Sequence, residues 1–274
     1  MKQNKIEQSG HKSVYVVLAL VFVAAVAVAL AVSYGRLRDI WLEQCVIDDP
    51  ARQVSVTSGM MVKADVLAEE FGLRKGANLA LIDFDEKRKA VLKKIPNLRS
   101  ISVSRSLPDK VTIVAEERTP VARMNIRGRK SETGHVVDTD GVVFVWQRGT
   151  QMLPVIRELQ APGTAVGNRL SGRALAALRL IESSQEAGRS ELGVLEVDIT
   201  RPDYLLATLG NYSRAKVAWE GMDDPDATDR SGLDRQLTLL TKAIRSRIGD
   251  NTLIWNATDT STPGRIYADS KGNL

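Results

Sequence analysis

The sequence predicts an α+β protein carried on a single N-terminal transmembrane helix, and three observations predict it. Val14–Val32 is an uninterrupted apolar run without charge, Gly or Pro. Residues 53–115 alternate between period-2 stretches and helical spacing in the order strand, helix, helix, strand, strand. Beyond residue 120, many short alternating stretches are separated by Gly- and Asp-rich turns, with two amphipathic helices among them. That pattern calls for a mixed sheet with flanking helices.

Residues 1–13 read as a short, polar, disordered cytoplasmic tail, and 14–34 as the transmembrane helix. Nineteen apolar residues at 1.5 Å rise span about 28 Å, near the roughly 30 Å hydrocarbon core of a bilayer. A cleaved signal peptide is the competing reading. The apolar core is longer than such a segment needs, and the chain beyond it, Ser33-Tyr34-Gly35-Arg36-Leu37-Arg38, is bulky and charged rather than small-x-small. The tail has Lys2, Lys5 and Lys12 against Glu7, so the positive-inside rule favours an N-in, C-out type II topology. The tail supplies +2 of the formal net charge of +5, and the rest is too dispersed for a nucleic-acid footprint. The single cysteine, Cys45, excludes an intramolecular disulfide and reads as a lone thiol rather than a dimer cross-link.

Residues 35–52 read as a juxtamembrane linker. Leu37, Ile40, Trp41 and Val46 sit near helical spacing, so the helix is expected to leave the membrane and stop at Asp48-Asp49-Pro50. Gln53–Thr57 alternates as a strand. Val62–Phe71 is an amphipathic helix with Val62, Val66, Leu67 and Phe71 on one face. In a second helix Asp83 or Asp85 caps, and Ala90, Val91 and Ile95 face inward before Pro96-Asn97. Ser100–Ser104 and Lys110–Ala115 form a hairpin around Ser106-Leu107-Pro108-Asp109.

The region 119–270 starts with the strand Val121–Ile126. Two strands surround the Asp138-Thr139-Asp140-Gly141 turn. A calcium loop is the rival reading, but the later oxygen ligands and the terminal Glu are missing, so a plain turn is expected. Ser171–Ala187 is a helix with Leu175, Leu178 and Leu180/Ile181 inward. Gly193–Asp198, Leu205–Leu209 and Ala215–Glu220 are strands, and Gly221–Ser231 is an acidic loop. Leu233–Ile248 is an amphipathic helix with Leu237, Leu240, Ile244 and Ile248 on one face. Thr252–Asn256 and Arg265–Ala268 close the domain, and 271–274 is a polar tail.

Several phrases carry a family resemblance. They are Val54-Ser55-Val56-Thr57-Ser58-Gly59, Gly76-Ala77-Asn78-Leu79, Ile95-Pro96-Asn97-Leu98, Leu107-Pro108-Asp109-Lys110-Val111-Thr112-Ile113, Glu117-Arg118-Thr119-Pro120-Val121-Ala122 and the Val137-to-Phe144 turn. With the preceding anchor, they resemble the bacterial division proteins FtsQ/DivIB: a POTRA domain over 53–118, then an FtsQ-type β domain over 119–270. The departure lies near the end, where Trp255-Asn256-Ala257 replaces the Asp-Leu-Arg usual before the family's last strand.

No catalytic constellation emerges. His11 lies in the tail and His135 at a strand start. Glu117 and Arg118 read as a solvated or locally paired edge, and no nucleophile elbow, phosphate loop or zinc spacing is present. The expectation is a protein that is not an enzyme and takes no cofactor, metal, nucleic acid or small-molecule substrate. The resemblance implies a scaffold in the inner membrane at the division septum, its body in the periplasm or extracytoplasmic space. It implies capture of FtsB/FtsL-type partners by strand addition at Arg265, Ile266, Tyr267 and Ala268, with Arg201 and Tyr204 nearby. It also implies recruitment of other division proteins through the first POTRA strand (Val54, Val56, Ser58) and Met60–Val66. The alternatives are a POTRA adaptor in secretion or envelope assembly and, further off, an extracytoplasmic cell-wall enzyme.

Overall fold

The computed structural model describes residues 7–106, 108–126, 134–159, 163–189, 191–219, 221–223, 231–246, 254–258 and 267–269. The first element is one unbroken helix, α1 (Glu7–Gln44), which takes in residues 7–13 of the tail expected to be disordered. Within it, Tyr15–Gln44 is long and apolar enough to cross a membrane, and no residue of its most apolar window is buried. The helix stops at Gln44, four residues short of the expected end. Cys45 turns the chain, and Cys45–Ile47 lie along the Gly76–Leu79 loop, between the helices at Ala64–Phe71 and Phe84–Lys94. The Ile47 amide donates to the Ala77 carbonyl (2.8 Å), Gly76 donates to Ile47 (2.7 Å), and Leu79 donates to Cys45 (2.8 Å). Both Cys45 and Ile47 are fully buried. This segment is therefore not a free linker. Nor does Pro50 end a helix. It opens a short one, α2 (Pro50–Gln53), whose first amide needs no acceptor, and Asp49 caps it by accepting from Ala51.

The order strand, helix, helix, strand, strand is observed as β1 (Val54–Thr57), α3 (Ala64–Phe71), α4 (Phe84–Lys94), β2 (Leu98–Ser106) and β3 (Lys110–Glu117). The sheet order is β1-β3-β2, with β1 parallel to β3 from Val54↔Val111 to Thr57↔Val114. Of the two capping candidates, Asp83 does the work, accepting from the amides of Asp85 and Glu86. Leu67 and Phe71 are buried on α3, but Val66 is 41% exposed, and on α4 Ala90 is exposed while Val91 is buried. Both helices are shorter than their apolar spacing suggested, and each rests on a narrower stripe.

Contacts divide the chain into two compact units. The first holds the chain up to Thr57 together with Ala64–Arg88 and Ser102–Val114. The second holds Ser58–Lys63, Lys89–Ile101 and everything from Ala115 onward.

The second unit contains a nine-stranded sheet in the order β12-β11-β10-β9-β8-β7-β4-β5-β6. Its strands are β4 (Ala122–Ile126), β5 (His135–Val137), β6 (Val143–Val145), β7 (Val155–Leu159), β8 (Glu196–Asp198), β9 (Leu205–Thr208), β10 (Arg214–Val217), β11 (Ile254–Ala257) and β12 (Tyr267–Asp269). The pairs β4–β7, β7–β8 and β10–β11 are parallel, and the remaining neighbours are antiparallel. Strand β7 lies in the middle of the sheet although Leu153-Pro154-Val155-Ile156 offers no alternation long enough to announce it.

Side chains in cross-strand register share one face of a sheet. The row Trp255, Ala215, Ala207, Val197, Ile156, Met124 is buried throughout. It joins one core cluster with Leu175, Leu178, Leu180 and Ile181 of α5 (Gly172–Ser184) and with Leu233, Leu237 and Leu240 of α6 (Ser231–Ser246). Each fully buried leucine contributes roughly 1.5–3 kcal/mol relative to exposure. The next row, Asn256, Lys216, Leu206, Asp198, Arg157, is half-buried. Helices α5 and α6 thus define one face as core and leave the opposite face polar. Ile244 is half-buried on α6, and Ile248 lies outside the described residues.

Candidate partner-binding edges and the junction that supports them

A sheet edge presents unpaired backbone donors and acceptors to an incoming strand. The two ends of the large sheet differ in this respect. At β6 the outer edge is occupied. The Val143 amide donates to Asn168 (2.9 Å), its carbonyl accepts from Gly167 (2.8 Å), and Val142 bridges to Arg169. One pair of residues later, the Asn97 side-chain amide donates to the Val145 carbonyl (2.7 Å). At the other end β12 pairs inward through Tyr267↔Asn256, Ala268↔Trp255 and Asp269↔Ile254. Among the described residues no strand lies outside it.

The expected site residues fall unevenly on this edge. Tyr267 and Ala268 are in β12, while Arg265 and Ile266 lie outside the described residues. Tyr267 is in register with Asn256, which is in register with Lys216. The Lys216 ammonium sits 5.3 Å from the centre of the Tyr204 ring. Tyr204 thus meets Lys216, whose register row runs through Asn256 to Tyr267; the sequence singled out neither Lys216 nor Asn256. Arg201 is exposed on the loop before Tyr204. That loop is held from beneath: one Arg173 guanidinium nitrogen donates to the carbonyls of Ile199 (2.8 Å), Thr200 (3.4 Å) and Arg201 (2.7 Å), and the Trp219 indole donates to Pro202 (2.8 Å). An ordered loop loses less freedom when a partner settles on it.

In the smaller sheet, among the described residues, strand β1 pairs with β3 and has no neighbour on its other side, and along it Val54 and Val56 are half-buried while Ser55 and Thr57 are exposed. Ser58, half-buried, follows the strand.

Glu117 and Arg118 are not a solvated edge. The Glu117 carboxylate accepts from three successive amides, Met60 (3.0 Å), Met61 (2.8 Å) and Val62 (2.7 Å). Three converging N–H groups form an anion nest, and here the chain's own carboxylate fills it. Arg118 turns to the Asp138–Gly141 turn. Its guanidinium pairs with Asp138 and Asp140 (3.2 Å to the latter), and its Nε donates to the Pro96 carbonyl (3.1 Å). Arg99 reaches Asp140 as well (3.3 Å). The other Asp138 oxygen accepts from the amides of Asp140 and Val142, and Gly141 closes the turn at φ +75°. The two aspartates are thus engaged by the guanidiniums of Arg118 and Arg99 and by their own turn. Among the described residues, no cluster of three His, Cys, Asp or Glu side chains is placed to hold a metal ion.

These features define a class: an α+β protein with an N-terminal helix long and apolar enough to cross a membrane, a β-α-α-β-β module, and a mixed sheet whose last strand has no outer neighbour among the described residues. Residues 50–118 match the family model described as POTRA domain, FtsQ-type. The chain is similar to the cell division protein FtsQ of Streptomyces collinus, 28% identical over 240 residues that cover 82% of this chain and 81% of the relative. It is also similar to the cell division protein FtsQ of Corynebacterium glutamicum, 26% identical over 115 residues, 42% of this chain and 47% of the relative. Residues 50–118 thus carry a POTRA domain of the FtsQ type, and over most of its length the chain is similar to a cell division protein of that name.

Proposed function

We propose that this protein is a non-catalytic scaffold of the bacterial divisome that captures FtsB/FtsL-type partners by adding a strand to β12. The observation that carries the reading is the asymmetry of the nine-stranded sheet: Gly167–Arg169 and Asn97 occupy the β6 edge, whereas among the described residues β12 has no neighbour on its outer side. Main-chain bonds along β12 would supply affinity, and side chains at Tyr267, Asn256, Tyr204 and Arg201 would supply specificity. In this reading α1 anchors the chain in the inner membrane as a type II protein and the body works outside the cytoplasm at the septum. The POTRA domain over 53–118 offers β1 to further division proteins, and the β domain over 119–270 holds the partner edge.

The test is co-purification of the full-length protein, in detergent, with FtsB- and FtsL-type segments. Deleting 264–274, or changing Tyr267→Glu, is expected to abolish co-purification while leaving a cooperative unfolding transition in place, since a terminal edge strand contributes little to the core. Unchanged co-purification of the deletion would refute strand addition at this edge. A fluorescent fusion spread evenly around dividing cells would refute the septal assignment.

A further inference from the structure

We propose that the turn carrying Leu81 is a second membrane contact, seated among the lipid headgroups beside the point where α1 leaves the bilayer. The argument rests on how α1 ends. The helix runs without a break from Glu7 to Gln44. From Lys12 to Trp41 the axis measures about 43 Å, the full thickness of a bilayer with its headgroups, roughly 40–45 Å. Tyr34, Leu37, Ile40 and Trp41 remain exposed beyond the apolar run, and Arg36 and Arg38 lie among them. Aromatic residues and arginines in that mixture suit the interface rather than open water. The headgroup layer therefore reaches Trp41, a single turn below the helix end.

The Asn78–Leu81 turn is fastened at that same level. The Asn78 side-chain amide donates to the Leu42 carbonyl (2.8 Å), the Leu79 amide donates to Cys45 (2.8 Å), and the Leu81 amide closes the turn on Asn78 (3.1 Å). Leu81 is two residues from an atom bonded to the end of α1, and its side chain is 73% exposed. An isolated exposed leucine elsewhere needs no explanation. This one is held by hydrogen bonds next to a membrane span, and there is no flexible linker to lift it away.

The concavity beside it, about 410 Å³, is lined by Leu81, Asp83, Phe84, Asp85, Arg88 and Arg105 among others. Its charges are mutually balanced. Arg88 pairs with Asp85 (3.1 Å), the Arg105 guanidinium stacks 5.2 Å from the Phe84 ring centre, and Asp83 is engaged as the cap of α4. Two carboxylates against two guanidiniums give no net attraction to anionic lipid. The contact is thus apolar insertion of Leu81 at the headgroup–acyl boundary, indifferent to headgroup charge.

The experiment uses the full chain with Cys45→Ala and Leu81→Cys, labelled at residue 81 with an environment-sensitive fluorophore and reconstituted in phosphatidylcholine nanodiscs. Because Leu81 is exposed, the label disturbs no packing. With nitroxide-headgroup phosphatidylcholine in the disc, the emission is expected to fall by half or more, and to fall equally when half of the lipid is phosphatidylglycerol. Emission unchanged by the nitroxide lipid would overturn the contact. Quenching confined to the anionic discs would overturn its apolar character and assign the attraction to Arg88 and Arg105.

Discussion

Arg118 places its guanidinium against the carboxylate of Asp138, with only 14% of one side chain and 4% of the other open to solvent. The pair links the exit of β3 to the turn between β5 and β6, and both the Glu-Arg-x-Pro phrase and the Asp-x-Asp-Gly phrase derive their physical sense from it. A charge this buried is tolerated because every partner is present: Asp138 serves Arg118 and two amides, and Arg118 serves two aspartates and the Pro96 carbonyl.

Removing one partner should therefore be costly. Arg118→Ala leaves Asp138 buried and unpaired, and is expected to lower stability by about 3–5 kcal/mol in denaturant unfolding of the intact protein. Arg118→Lys keeps the charge but loses the planar fork, and should fall between wild type and alanine. Arg118→Ala with Asp138→Asn should cost less than the sum of the single changes. Additive single effects would show that the two groups are not coupled.

Glu117 predicts a local effect. Hydrogen bonds to a charged acceptor contribute about 1.5–3 kcal/mol, so Glu117→Ala should speed amide exchange at Met60–Val62 by about 10- to 100-fold. Gly59→Ala should act in the same direction by a different route. A Cβ there would lie 2.3 Å from the Glu117 carboxyl atoms and would push the side chain off its amides. Unchanged protection in both variants would mean that the loop is held by something else.

Much of the fold is legible in the sequence because it is local. Asp83 caps α4 through neighbours two and three residues on, and the Gly141 turn lies within one hairpin. What was not legible depends on partners far along the chain. The Met60 amide is held by Glu117, 57 residues away, which is why Ser58–Lys63 belongs with the second unit rather than with β1. Arg118 looked like a surface charge because nothing in its own neighbourhood shows Asp138 waiting 20 residues later. Strand β7 alternates only over Val155, Ile156 and Arg157, and its central place depends on pairing with β4 and with β8, about 30 to 40 residues away on either side. The candidate edge was partly legible: Tyr204 and Tyr267 were named, but Lys216 and Asn256, which relate them, are visible only once the register of β10, β11 and β12 is known.

Cys45 gives a prediction about the end of α1. Its thiol is fully buried, so maleimide labelling of the folded full-length protein should be slow and limited by local opening. Asn78→Ala removes the bond to the Leu42 carbonyl and the bond that Ala80 donates to the Asn78 side chain. At about 1 kcal/mol for a neutral hydrogen bond, losing two should raise the labelling rate by roughly tenfold or more. A wild-type thiol that reacts as fast as free cysteine would contradict the docking of Cys45–Ile47.

Glu191 titrates below its ordinary value of 4.5, held down first by a bond from its own backbone amide and then by Arg245, whose guanidinium lies 2.6 Å from the carboxylate. The folded-state value is below the unfolded one. The carboxylate therefore adds stability that is present above the unfolded value and disappears as pH falls through the folded one, on the acid side of 4.5. Arg245→Ala should move the midpoint of Glu191 upward, yet not fully to the ordinary value, because the backbone contribution is untouched. Added salt should act in the same direction by screening a pair that faces solvent. Side-chain carboxyl NMR across the acid range reads both shifts, and a midpoint that ignores Arg245→Ala would show that the link between α6 and the Glu191 loop carries no charge coupling.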